Sequence, residues 1–89
     1  MYTDHARIRM QQRGIPPLIV EWLLEFGAVR YDHHGGQIRF FDKESRRRIA
    51  REKGEMVVRR LHELLDSYAV VAEDGTLITV GHNYRRPRH

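Results

Sequence analysis

The sequence predicts an α+β domain with a mainly antiparallel four-stranded sheet and helices packed on one face, in the order ααββααββ. Three observations carry this reading. The run from Ile15 to Gly27 is dense in large apolar side chains and has the proline-first, glycine-last signature of a helix. Two pairs of β-rich segments flank short links that contain glycine, His33-His34-Gly35-Gly36 and Glu73-Asp74-Gly75-Thr76. Between those pairs, Lys43 to Leu65 reads as helix. The chain has 89 residues, 40% of them hydrophobic, which makes residues 1–89 one small domain without room for a second core. A domain of this size buries about 60% of its unfolded surface, so a homodimer that hides further apolar area suits it.

In chain order, a helix is expected from Asp4 to Arg13, with Thr3 as N-cap and Gly14 as the stop. Its inward face is thin, Ala6 and Met10. His5, Arg9 and Arg13 recur at four-residue spacing beside it and form a cationic stripe. Like charges so spaced repel, and Glu21 and Glu25 on the next helix are the obvious internal partners. That next helix is apolar at every other position from Leu18 to Phe26, so it should be covered on most of its circumference. Gly27 is expected to end it as a left-handed residue.

Ala28 to Asp32 and Gln37 to Phe41 should form a β-hairpin. His33 and His34 at its tip do not make a metal site, because adjacent residues on a strand end point to opposite sides and no second cluster lies at ligand spacing. Asp42 then caps a polar surface helix over Lys43 to Lys53, and Gly54 ends or kinks it. From Glu55 the pattern turns amphipathic, with Val57, Leu61, Leu64 and Leu65 on the inner side and Arg59, Arg60, His62 and Glu63 on the other. Tyr68 to Ala72 and Leu77 to Gly81 form the second hairpin, and the last strand is expected to be central in the sheet.

The charge pattern excludes some functions and favours one. There are no cysteines, hence no disulfides, thiolate metal sites or cysteine nucleophiles. No apolar run approaches the ~18 residues that span a bilayer, and the opening residues do not read as a signal peptide, so a cytoplasmic protein without membrane partners is expected. No motif implies a cofactor. Net charge is +4, yet between Lys43 and Arg60 eight Lys or Arg stand against three Glu, and no acidic residue follows Asp74. Clustered arginines are the footprint of a polyanion partner, because each phosphate contact releases counterions and a guanidinium grips phosphate with two donors.

The opening His5-Ala6, Arg9-Met10 and Arg13-Gly14-Ile15, with Ile78-Thr79-Val80 before a basic tail, resembles a family of small bacterial proteins described only as a domain of unknown function. In size, element order and basic character the chain is also similar to the RelE/ParE and BrnT toxins of toxin–antitoxin pairs. The helical segment between Asp42 and Leu65 departs from the common toxin layout. The toxin resemblance implies metal-independent RNA cleavage by attack of a 2′-hydroxyl on the adjacent phosphate. In that case His82 or His5 moves the protons, Tyr84 donates to the leaving oxygen or stacks on a base, and Arg9, Arg13, Arg85 and Arg86 clamp the phosphate.

Two other readings stand beside the enzyme. One is a binding module that holds nucleic acid, RNA before DNA, with Arg46, Arg47, Arg48, Arg51, Arg59 and Arg60 without cutting it. The other is an interaction domain whose charged helices meet an acidic, antitoxin-like protein.

Overall fold

The computed structural model describes residues 1–82. It forms α1 (Asp4–Arg13), α2 (Pro17–Phe26), β1 (Ala28–Tyr31), β2 (Gln37–Phe40), α3 (Lys43–Lys53), α4 (Glu55–Arg60), a 3-10 turn (Leu64–Asp66), β3 (Ser67–Val71) and β4 (Leu77–His82). The α+β class and the order of elements are those read from the sequence. All three strand pairings are antiparallel and the spatial order is β1-β2-β3-β4. Ala69 and Val71 of β3 and Leu77 and Val80 of β4 face the helices, where they join Ala6, Met10, Ile19, Val20, Trp22, Leu23, Phe26 and Ile49 in one buried cluster.

Local chemistry sets most helix ends. Thr3 Oγ1 accepts from the Ala6 N–H, and Gly14, at φ 62°, turns its own N–H back onto the carbonyls of Met10 and Gln11. Asp42 Oδ1 accepts from the Ser45 N–H at 2.8 Å and from the Ser45 hydroxyl at 2.7 Å, which lets that buried hydroxyl enter the core satisfied. Pro16 and Pro17 open α2 where the missing N–H groups cost nothing. In the second hairpin Gly75, at φ 90°, completes a three-residue link, with the Ala72 N–H donating to the Thr76 carbonyl at 2.8 Å.

Four expectations are corrected. Gly27 has φ −66°, so it is not left-handed; the chain passes from α2 straight into extended β1. Glycine is required there for closeness, because a Cβ would stand 2.3 Å from the Leu23 carbonyl oxygen. Secondly, β4 is an end strand, and its outer edge meets Met1 to Thr3: the Thr3 N–H donates to the Leu77 carbonyl at 3.0 Å and the Leu77 N–H to the Met1 carbonyl at 2.9 Å. Thirdly, the amphipathic helix from Glu55 stops at Arg60, and Leu64 and Leu65 reach the core through the 3-10 turn that delivers the chain into β3. Lastly, the open side of α2 carries two leucines as well as its glutamates. Leu18 and Leu24 are 46% and 37% exposed and share its outward side with Glu21 and Glu25.

Candidate nucleic-acid interface

The arginines of the α3–α4 segment divide into two kinds. Arg46 and Arg48 flank the buried stripe of α3, made by Ser45 and Ile49, and both reach inward contacts. Arg46 Nη2 donates at 3.0 Å to the Leu65 carbonyl and at 3.0 Å to Asp66 Oδ1. The Arg48 guanidinium carbon lies 5.3 Å from the centre of the Phe26 ring, within cation–π range. Arg47 and Arg51 instead point outward and share one exposed partner, Glu44, at 3.8 and 4.0 Å. Pairs that long and that exposed hold their cations weakly. Arg59 and Arg60 are exposed on the last turn of α4, and no ion pair engages them among the described residues.

Outside this segment Arg39 is also structural. It lies on the helix-facing side of β2 and donates from Nη1 to the Leu24 carbonyl at 3.2 Å, satisfying one of the carbonyls left over at the C-terminus of α2. Arg9 hydrogen-bonds within its own helix, to His5 Nε2 and Gln12 Oε1, both at 3.4 Å. Among the described residues, neither Arg9 nor Arg13 forms an ion pair with Glu21 or Glu25, so the helix-to-helix tie expected between them is not made.

The candidate catalytic residues come together only in part. His82 closes β4 and sits against the C-terminus of α1, where its Nε2 meets the Arg13 carbonyl. A carbonyl only accepts, so Nε2 carries the proton, and in the neutral ring Nδ1 is then the acceptor for the buried Ser67 hydroxyl at 3.3 Å. Both nitrogens are therefore engaged, Nε2 in fastening α1 to the sheet and Nδ1 in tying β4 to β3. Arg13 and His82 line one crevice of about 430 Å³ together with Glu63, Leu64 and Asp66. Its two carboxylates oppose entry of a phosphate. His5 stands at the other end of α1, eight residues or about 12 Å along the axis from Arg13, so the two histidines do not share a site. Tyr84, Arg85 and Arg86 lie outside the described residues.

The His33-His34 tip is organised by a carboxylate rather than by a metal. Asp32 Oδ1 accepts from the N–H groups of His34 at 2.8 Å and Gly36 at 2.9 Å, and these bonds, the first foremost, hold its carboxyl below the ordinary value of 3.8. Among the described residues no three His, Asp or Glu converge as metal ligands, and no helix is long and apolar enough to cross a membrane. Compared with protein-family models, with curated proteins and with solved structures, the chain matches none.

One surface has no counterpart in the sequence reading. A groove of about 730 Å³ runs between α1 and the start of α2, walled by Tyr2, Ile8, Ile15, Pro16, Pro17 and Leu64, with Arg7 and Gln11 on its α1 side. Its wall comes from three separated stretches of chain. The one sequence signal was Ile8, an isoleucine on the polar side of a weakly amphipathic helix, left 52% exposed.

Proposed function

We propose that the protein is a nucleic-acid-binding domain that holds the phosphate backbone with the outward arginines of α3 and α4. The observation that carries this reading is the division of labour among those arginines. Arg46 and Arg48 fix α3 to the core, while Arg47 and Arg51 of α3 and Arg59 and Arg60 of α4 stand exposed and weakly countered. Exposed guanidinium groups without a close counter-charge suit a polyanion, because little internal pairing has to be broken before they grip phosphate. Charge is also segregated along the chain: residues 43–60 carry eight Lys or Arg and three Glu, a net of +5, whereas residues 61–82 carry four acids and no Lys or Arg. RNA is placed before DNA on the strength of the resemblance to RNA-cleaving toxins.

The test is retention of labelled single-stranded RNA by the full chain across a salt series. Affinity should fall with salt at a slope of about −0.7 per phosphate contacted, and replacing Arg59 and Arg60, or Arg47 and Arg51, by alanine should flatten that slope by about 1.4. Binding that ignores salt, or no retention at physiological salt, overturns the reading and leaves the basic surface to an acidic protein.

A second reading, metal-independent RNA cleavage, is favoured by the meeting of Arg13 and His82 in one crevice. It ranks below the binding module because His82 contacts the Arg13 carbonyl rather than its guanidinium, and both ring nitrogens are already engaged. A proton-transfer role needs one of them free.

A further inference from the structure

The groove beside α1 and the outward side of α2 form one continuous surface, because Pro16 and Pro17 line the groove and Leu18 follows them directly. Positions 18, 21, 24 and 25 fall within about a third of the circumference of α2, so Leu18, Glu21, Leu24 and Glu25 make a strip that alternates apolar and acidic side chains. Glu21 and Glu25 form no ion pair among the described residues. On the groove side, the Arg7 side chain is held among the described residues only by Asp4 at 3.8 Å, with the two side chains 67% and 95% exposed. One surface thus offers an apolar trough edged by a cation, and beside it a leucine and glutamate strip that complements the trough.

We propose that this surface is the interface of a two-fold homodimer, in which the α2 strip of each copy seats in the α1–α2 groove of the other. A two-fold contact demands a patch complementary to itself, and adjacent trough and strip supply this; the axis passes between them and each feature is used twice. The leucines fill the trough formed by Ile8, Pro16, Pro17 and Leu64, and Glu21 meets Arg7 of the second copy. A second copy is the occupant because this chain already carries both halves of the match. A domain of this size also gains most from hiding exposed leucines. The proposal is independent of nucleic-acid binding.

The test is the solution mass of the full chain over about a hundredfold range of concentration, since a dimer in exchange dissociates on dilution. Wild type should reach twice 10.6 kDa at the upper end. Ile8→Glu and Leu18→Glu, at exposed positions that leave the core intact, should give monomer throughout with an unchanged circular dichroism spectrum. Arg7→Glu should weaken the dimer about tenfold, and adding Glu21→Arg to the same chain should restore it. A wild type that stays monomeric overturns the proposal. So does a dimer that survives Ile8→Glu and Leu18→Glu, which would place the contact elsewhere, for example along β1. Failure of the paired charge reversal to restore association also overturns it, because the seating of Glu21 on Arg7 would then be wrong.

Discussion

Arg46 and Asp66, twenty residues apart, meet at 3.0 Å through the same guanidinium nitrogen that donates to the Leu65 carbonyl. The contact ties the first turn of α3 to the turn that feeds β3. Asp66 is more than half exposed, so the ionic part is worth only about 0.2–1 kcal/mol. The carbonyl bond adds about 1 kcal/mol. Arg46→Ala should therefore destabilise the domain more than Asp66→Ala does, measured by urea unfolding, while leaving the salt slope of RNA binding close to wild type. Arg60→Ala should do the reverse, flattening the slope with little change in stability.

Gly27→Ala tests a different kind of constraint. The new methyl would stand 2.3 Å from the Leu23 carbonyl oxygen, 3.2 Å from its carbon and 3.3 Å from the Phe40 carbonyl oxygen, all backbone atoms that cannot swing aside. The α2–β1 junction must shift, at a cost of about 1–3 kcal/mol. Gly14→Ala meets nothing within 4 Å and is penalised only for its left-handed φ of 62°, roughly 1–2 kcal/mol. The two variants should thus lose comparable stability by different routes. Gly14→Asn should recover part of the loss, because asparagine tolerates that conformation, whereas Gly27→Asn should recover none.

His82→Ala removes the partner of the buried Ser67 hydroxyl and the donor to the Arg13 carbonyl. A buried hydroxyl left unsatisfied costs about 1–3 kcal/mol, so the melting temperature should fall. With labelled RNA in EDTA, the binding-module reading expects retention and no cleavage by wild type and variant alike. Cleavage by wild type that disappears in a folded, RNA-retaining His82→Ala would instead make the protein a ribonuclease with His82 in its site.

Asp32→Ala gives the pH dependence its sign. The folded carboxyl titrates below its ordinary value of 3.8 because its anion is bonded by the N–H groups of His34 and Gly36. A depressed folded pKa stabilises the fold above 3.8, and that contribution is lost as pH falls through the lower, folded value. Wild type should therefore melt higher than Asp32→Ala at neutral pH, and the gap should close below 3.8 as the wild-type carboxyl takes up its proton. A gap constant down to acid pH would mean that the anion is not what matters.

Most of the fold was legible because its boundaries are local events. Thr3, Gly14, Pro17, Asp42 and Gly54 act within a turn of their own positions, and the cap or stop that each makes is the one its residue type favours. What the sequence hid is set by which side of an element meets another. Arg46, Arg47 and Arg48 are one unbroken run, and only the angle around α3 separates the anchors from the outward cation. The central place expected for β4 failed because β3 takes the free edge of β2 and leaves β4 the far side of β3, a pairing across the α3–α4 segment that nothing local encodes. His82 looked available because Ser67 and the Arg13 carbonyl approach it from elements 15 and 69 residues away.

The pairing of residues 1–3 with β4 has a consequence for how the chain assembles. Thr3 Oγ1 donates to the Ile78 carbonyl across 75 positions, and α1 rests chiefly on the same strand. The first helix thus has no lasting place to dock until the final hairpin exists, whereas α3 and α4 can pair with their neighbours much earlier. Contacts of such span slow the search for the native topology. During synthesis α1 waits, with Ala6 and Met10 uncovered, for β4, so lengthening the link between the hairpins should slow folding more than it lowers stability.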